Sequence, residues 1–148
     1  MNNSDQEREE LIELISTINS IETFSEFLGV DCSTFSNCLS RENKPKYYHE
    51  FRLLKKNGEF RFIGAPKDEL KIIQQLLNQQ LQKIYQPKAS VHGFLHQRDI
   101  LTNAQRHSNK KNKYVYNTDI KNFFPSITYN RVKGLFKAIP YCFNTTIA

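Results

Sequence analysis

The chain has few cysteines, no long apolar run and, past its first forty residues, few acids. Cys32, Cys38 and Cys142 are an odd set of three, and the five residues between the first two miss the short spacing of a zinc knuckle. They read as reduced, structural thiols. No apolar stretch approaches the roughly 18 residues a spanning helix needs. The opening Met-Asn-Asn-Ser-Asp-Gln-Glu-Arg-Glu-Glu also lacks the basic-then-apolar front of a secretory signal. A cytoplasmic protein with no membrane role is expected. No internal repeat is visible. What remains is about one domain's worth of chain, 148 residues at 39% hydrophobic with eleven Phe and seven Tyr, enough for a core.

The shortage of acids is one-sided. Residues 1–40 hold eight acids against the single base Arg8, a net charge of −7, whereas the rest holds 20 bases and 7 acids, a net of +13. A surface that basic, with aromatics at 12% of the chain, suits a polyanion such as nucleic acid. Ordinary solvated lysines and arginines would give the same count.

The acidic front has helical spacing at Leu11, Leu14, Ile15 and Ile18. A second short helix carries Phe24, Phe27 and Leu28 and stops at Gly29, and Asp31, Ser33 or Thr34 caps a third that ends near Leu39. The rhythm resembles a helix-turn-helix, but the segment is acidic where phosphate contacts need cations. Docking of a protein partner through residues 1–40 fits it better.

Arg41 to Lys46 reads as a linker. Phe51 to Lys56 and Glu59 to Ala65 then flank Asn57-Gly58, the pair that favours a two-residue type I′ hairpin. That turn would pair Lys56 with Glu59, Leu54 with Arg61 and Leu53 with Phe62. It would separate an apolar face (Phe51, Leu53, Phe60, Phe62) from a basic one (Arg52, Lys56, Arg61). After Pro66, Leu70, Ile73, Leu77, Leu81 and Ile84 trace a helix of about five turns capped by Asp68. Ser108 to Lys113 reads as a loop.

The segment from Tyr114 to Ile127 is the most informative. Tyr114, Val115 and Tyr116 favour a strand, Pro125 ends it, and Thr128 is placed to cap a helix carrying Val132, Leu135, Phe136 and Ile139. Asp119 then sits at a strand-to-loop corner beside Phe123 and Phe124, the first read as core. An Asp there also serves as a simple turn cap, so these residues alone leave two readings open.

Taken in order, the motifs resemble the front half of bacterial retron-type reverse transcriptases, relatives of group II intron enzymes. The resemblance rests on Lys55-Lys-x-Gly-x-x-Arg61, Ala65-Pro66, Leu70-Lys71-x-Ile73-Gln74 and His92-Gly93-Phe94. It continues through Arg98-x-Ile100, Asn103-Ala104, His107 and Asp119-Ile-x-x-Phe-Phe-x-Ser-Ile127. It runs from about Tyr47 to Ile139, and the order makes it specific where each motif alone is modest.

The resemblance implies an α+β right-hand polymerase fragment: N-terminal helices (1–46), a fingers region with a two-stranded hairpin and long helix (47–107), and the start of a palm (108–148). Arg61, with Lys56 or Lys55, would hold the triphosphate of an incoming deoxynucleotide, and the facing argument favours Lys56. Asp119 would be the first catalytic carboxylate and, with the main-chain oxygen of Ile120, a Mg²⁺ ligand. Phe124 would lie beneath the sugar and reject a ribose 2′-hydroxyl. His92, Gly93, Phe94 and Arg98 would shape the template and nucleotide pocket. Apart from the resemblance, His107 and the Lys110-Lys111 pair read as loop residues within reach of a phosphate backbone.

Such chemistry needs these residue types. Hard cations take carboxylate oxygen, positive fingers offset charge on the phosphates during in-line transfer, and an aromatic wall rejects an added hydroxyl by clash and by leaving it unsatisfied. The implied function is RNA-directed DNA polymerisation on a structured RNA template, with antiphage defence as its setting. The family's Tyr-x-Asp-Asp turn is absent from these 148 residues. The expectation is therefore a chain shortened before that motif, inactive alone. The alternative is a binding module for nucleic acid or a protein partner.

Overall fold

The computed structural model describes residues 3–108 and 113–148. They form two compact parts. One comprises the residues up to Ile84 together with Val132–Ala148, and the other the described residues of Tyr85–Arg131. The architecture mixes helices with a two-stranded antiparallel sheet.

The first part is built on helices. α1 (Asn3–Thr17) buries Ile15 completely, and Ile18 just beyond it is 3% exposed. α2 (Ile21–Leu28) starts at a Ser20–Thr23 capping box and ends at Gly29, whose φ of 68° is the left-handed backbone that stops a helix. α3 (Cys32–Leu39) is capped by the Asp31 carboxylate, which accepts from the Thr34 amide at 2.8 Å. That bond and the one from the Ser33 hydroxyl, the larger cause, hold the Asp31 carboxyl below its ordinary pKa.

The expected linker is instead a 3₁₀ turn (Arg41–Asn43) followed by the short helix α4 (Lys44–Tyr47). Tyr47 is buried there beside Leu28, Phe35, Cys38, Leu70 and Ile73, and that anchor makes the segment helical. α5 (Asp68–Ile84) supplies the long apolar stripe as its spacing predicted. A second cluster joins Ile15, Ile18 and Ile84 to Phe143, whose ring meets those of Phe24 and Phe136 edge-on. The Arg8 guanidinium donates to the Ile84 carbonyl at 2.8 Å and ties α1 to the end of α5. The three cysteines are free thiols, and Cys38 is buried.

β1 (Tyr48–Leu54) and β2 (Phe60–Pro66) pair with Leu54 opposite Phe60, Leu53 opposite Arg61 and Arg52 opposite Phe62. This is one residue out of the expected register. The loop has three residues, not two: the Gly58 amide donates to the Lys55 carbonyl at 3.0 Å and the Lys55 amide to the Glu59 carbonyl at 2.8 Å. Only Gly58 (φ 84°), not Asn57, has positive φ, which fits a turn followed by a left-handed glycine and excludes type I′. A slip of one residue moves a whole strand's side chains to the other face. Phe60 and Phe62 therefore share a face with Arg52 and Leu54, while Arg61 stands with Phe51, Leu53 and Lys55. The expected split into an apolar and a basic face is lost.

In the second part, α6 (Ile100–His107) begins at an Asp99–Thr102 capping box. A single-turn helix, α7 (Phe123–Ser126), follows Asn122, whose φ of 56° an asparagine tolerates. The chain then enters α8 (Tyr129–Lys137), which starts after Thr128, belongs to the first part from Val132 onward and stops before Ile139. The strand expected at Tyr114–Thr118 is not formed: those residues are irregular and fully outside any ladder. Tyr114 is 91% exposed. A strand needs a neighbour to satisfy its backbone groups, and none of the described residues provides one. Phe123, expected in the core, is exposed and packs edge-on against Phe124 at 5.4 Å between centroids. Residues 109–112, which hold Lys110, Lys111 and most of the expected loop, lie outside the described residues. Among the described residues no helix is long and apolar enough to cross a membrane.

Candidate functional site

At the hairpin tip, register decides which cations act together. Directly opposed residues share a face, so Lys55, opposite Glu59, is a diagonal neighbour of Arg61 on the same side of the ribbon. Lys56 sits in the turn. The pairing thus shifts the choice left open by the sequence from Lys56 to Lys55 as the ladder companion of Arg61. Lys55 is engaged, its ammonium 2.9 Å from Glu59. That bond first, and then one from the Asn57 amide, keeps the Glu59 carboxyl below its ordinary pKa. On the opposite face the Arg52 guanidinium lies over the Phe60 ring, 5.5 Å from its centroid.

Asp119 and Ile120 are exposed in the irregular run that leads into the Lys121-Asn122 turn. The turn is closed locally: the Ser126 amide donates to the Asn122 carbonyl at 3.0 Å, and the Ile127 amide to the Phe124 carbonyl at 3.1 Å. Phe124, two residues past the turn, is 74% exposed. Carboxylate, carbonyl and aromatic wall therefore lie within six residues on one solvent-facing corner.

His92 and Arg98 differ in kind from Gly93 and Phe94. Arg98 donates to the carbonyls of Val91 at 2.6 Å and Lys88 at 3.0 Å, so its guanidinium braces the chain just before His92. Its side chain is spent on these backbone carbonyls, so it acts on the pocket through the chain it holds. Gly93 faces open space, and Phe94 is 96% exposed at a φ of 59°. His92 is half-buried, with Nδ1 3.0 Å from the Thr102 hydroxyl. Burial first, then Arg106, Arg98 and His107, hold its pKa below the ordinary histidine value, opposed by Asp99. Arg106, which no motif reading singled out, lines a cleft with His92. Its only sequence signal was its place one turn after Asn103 on a helix that had not been recognised.

A divalent cation tests the carboxylate corner. Mg²⁺ prefers six oxygens in near-octahedral array, and one carboxylate with one carbonyl leaves most of that shell empty. Among the described residues no group of three or more His, Cys, Asp or Glu could hold a metal. These residues do not complete a magnesium site.

The comparisons with known proteins cover both the ribbon and the Asp119 corner. The family model described as reverse transcriptase (RNA-dependent DNA polymerase) matches residues 53–139. That is more than half of the chain, which therefore belongs to the reverse transcriptase family. Its similarity within that family runs to retron proteins. It is 33% identical over 125 residues to the retron Mx162 reverse transcriptase of Myxococcus xanthus, covering 83% of this chain and 25% of that one. It is 35% identical over 96 residues to the retron Mx65 reverse transcriptase of the same organism, covering 65% and 22%. With the retron Ec73 reverse transcriptase of Escherichia coli it shares 36% over 86 residues, covering 57% and 27%. The chain thus spans about a quarter of the length of these relatives. No solved structure gives a significant match.

Proposed function

We propose that the chain supplies the nucleotide-gripping ribbon and the first palm segment of a retron-type RNA-directed DNA polymerase, the remaining segments coming from polypeptide outside these 148 residues. Arg61 with Lys55 meets the triphosphate of the incoming deoxynucleotide. Cations there offset the charge that gathers on the phosphates during transfer, where positioning and electrostatics supply most of the catalysis. Asp119, with the Ile120 carbonyl, contributes part of a cation site whose other ligands lie elsewhere. Phe124 walls the sugar pocket, and the His92–Arg98 stretch shapes the template side. The template is RNA and the product DNA, and the setting is antiphage defence. A protein partner of residues 1–40 would meet their acidic, exposed side, because Ile15, Leu28 and Phe35 of α1–α3 are spent on the chain's own cores.

The match of residues 53–139 to the family carries this reading. It is tested by supplying the later segments of a retron reverse transcriptase in trans and measuring deoxynucleotide incorporation on an RNA template. Asp119→Asn is expected to lower incorporation by more than about a hundredfold, beyond what the loss of an outer partner of a metal site costs. Incorporation indifferent to Asp119→Asn sinks it. The lone carboxylate also favours a second reading, a nucleic-acid-binding module without chemistry, marked by RNA binding that falls steeply with salt and ignores Asp119→Asn.

A further inference from the structure

Within Tyr85–Arg131 a cleft of about 430 Å³ is lined by Ser90, His92, Asn103, Arg106 and His107. Each of the five side chains is polar, and none is a carboxylate. Arg106 and His107 occupy the last turn of α6, where cations offset the helix's negative end. The acid that acts on His92, Asp99, is committed elsewhere: its carboxylate accepts from the Thr102 amide at 2.7 Å at the start of α6.

The His92 ring is held in one state by its neighbours. The Thr102 hydroxyl accepts from the Asp99 amide at 2.8 Å and donates to the Asp99 carbonyl at 2.9 Å. With its single proton so used, it can only accept from His92, so Nδ1 carries a hydrogen, and in the neutral ring that burial favours Nε2 carries none. That Nε2 is buried and has no hydrogen-bond partner among the described residues. Among the described residues lining the cleft, Arg106 is the side chain with a fixed positive charge, and the Asn103 amide and Ser90 hydroxyl are neutral donors. Arg98 is spent on backbone carbonyls and cannot substitute.

We propose that this cleft holds one phosphate of a single-stranded RNA backbone, with the Arg106 guanidinium as its principal contact and Asn103 and Ser90 as supporting donors. The planar fork of an arginine suits two phosphate oxygens at once. The burial of His92 among Arg106, Arg98 and His107 agrees with a local excess of positive potential. This inference rests on the reading of the chain as an RNA-handling piece of a reverse transcriptase and adds to it a residue which that reading did not contain.

The test is fluorescence anisotropy of a labelled oligouridylate with the full chain across a salt series. Arg106→Gln is expected to weaken binding about tenfold, as for a lost hydrogen bond to a charged group. It should also shrink the slope of log affinity against log salt by about one, while Arg106→Lys keeps the slope. An unchanged affinity and slope in Arg106→Gln overturn the proposal. Should that variant fold poorly, the wild-type chain decides: RNA must shift the NMR signals of the Arg106 Nε–H and the Asn103 side-chain amide, and unmoved signals overturn it. Displacement of RNA from Arg106 by a deoxynucleoside triphosphate more readily than by a second RNA assigns the cleft to the free nucleotide and overturns it as well. Absence of any RNA binding by the wild-type chain would instead sink the wider reading.

Discussion

Ile15 and Ile84 are wholly buried in the helical part, whereas the described residues between Tyr85 and Arg131 are at most half-buried. The first part is held by apolar packing, with Phe24, Phe136 and Phe143 knitting rings across its second cluster. The second is held by caps, turns and the Arg98 brace. That second part contains Asp119 and Phe124, to which the proposed function gives the metal-side and sugar-side roles. Hydrogen bonds open to solvent contribute little net stability each, so such a segment opens locally far more readily than a core helix. The Tyr114–Tyr116 run carries the same lesson: side chains suited to a sheet stand in solvent, and their backbone pairs with no strand among the described residues.

The comparison is broken most sharply by truncation. Ile84→Ala is expected to destabilise the chain by about 2–5 kcal/mol, the usual cost of a fully buried Ile, read as a shifted denaturant midpoint. Tyr114→Ala should move that midpoint by less than about 0.5 kcal/mol. Equal effects would mean that the two parts share one core.

Two smaller changes sharpen the contrast. Thr102→Val removes the hydroxyl that serves Asp99 and His92 and should cost about 1 kcal/mol, seen in hydrogen exchange of α6 and not of α5. Gly58→Ala meets no atom within 4 Å, so its cost, about 1 kcal/mol, is that of a left-handed backbone alone and stays in the hairpin. Because the folded-state pKa of His92 is lowered, the unfolded chain binds its proton first as the medium acidifies. The stability contributed by neutral His92 is thus present above about pH 6.5 and is lost as pH falls through the folded value. Exchange in α6 should quicken over that range in the wild type and not in His92→Asn. The smallest effect belongs to Glu59→Gln, which frees Lys55: the midpoint holds, and deoxynucleotide affinity rises by less than about fivefold.

Much of the helical part was legible because helical periodicity reports burial directly. Leu70, Ile73 and Ile84 lie where their spacing put them, and Gly29 ends α2 as glycine should. The hairpin was legible in place but not in register, since Asn-Gly serves both a two-residue turn and a three-residue loop whose glycine alone is left-handed. The candidate site was legible as a list through its motif order. What each member does was not: Arg98 and Arg106 are both arginines beside a motif, and only coordinates show the first spent on carbonyls and the second facing a cleft.

The amino-acid order alone determined the family, the positions of α1, α2, α3 and α5, the hairpin's existence and the charge contrast between the front and the rest, since each follows from local spacing and composition. Tertiary structure decided that Phe143 returns to the core of α1 and α5 and that the hairpin loop sets Lys55 against Glu59. It also decided that Tyr114–Thr118 pairs with nothing among the described residues. These are contacts between residues far apart in the chain, or a choice between two turns that Asn-Gly can both serve, and no local pattern encodes either.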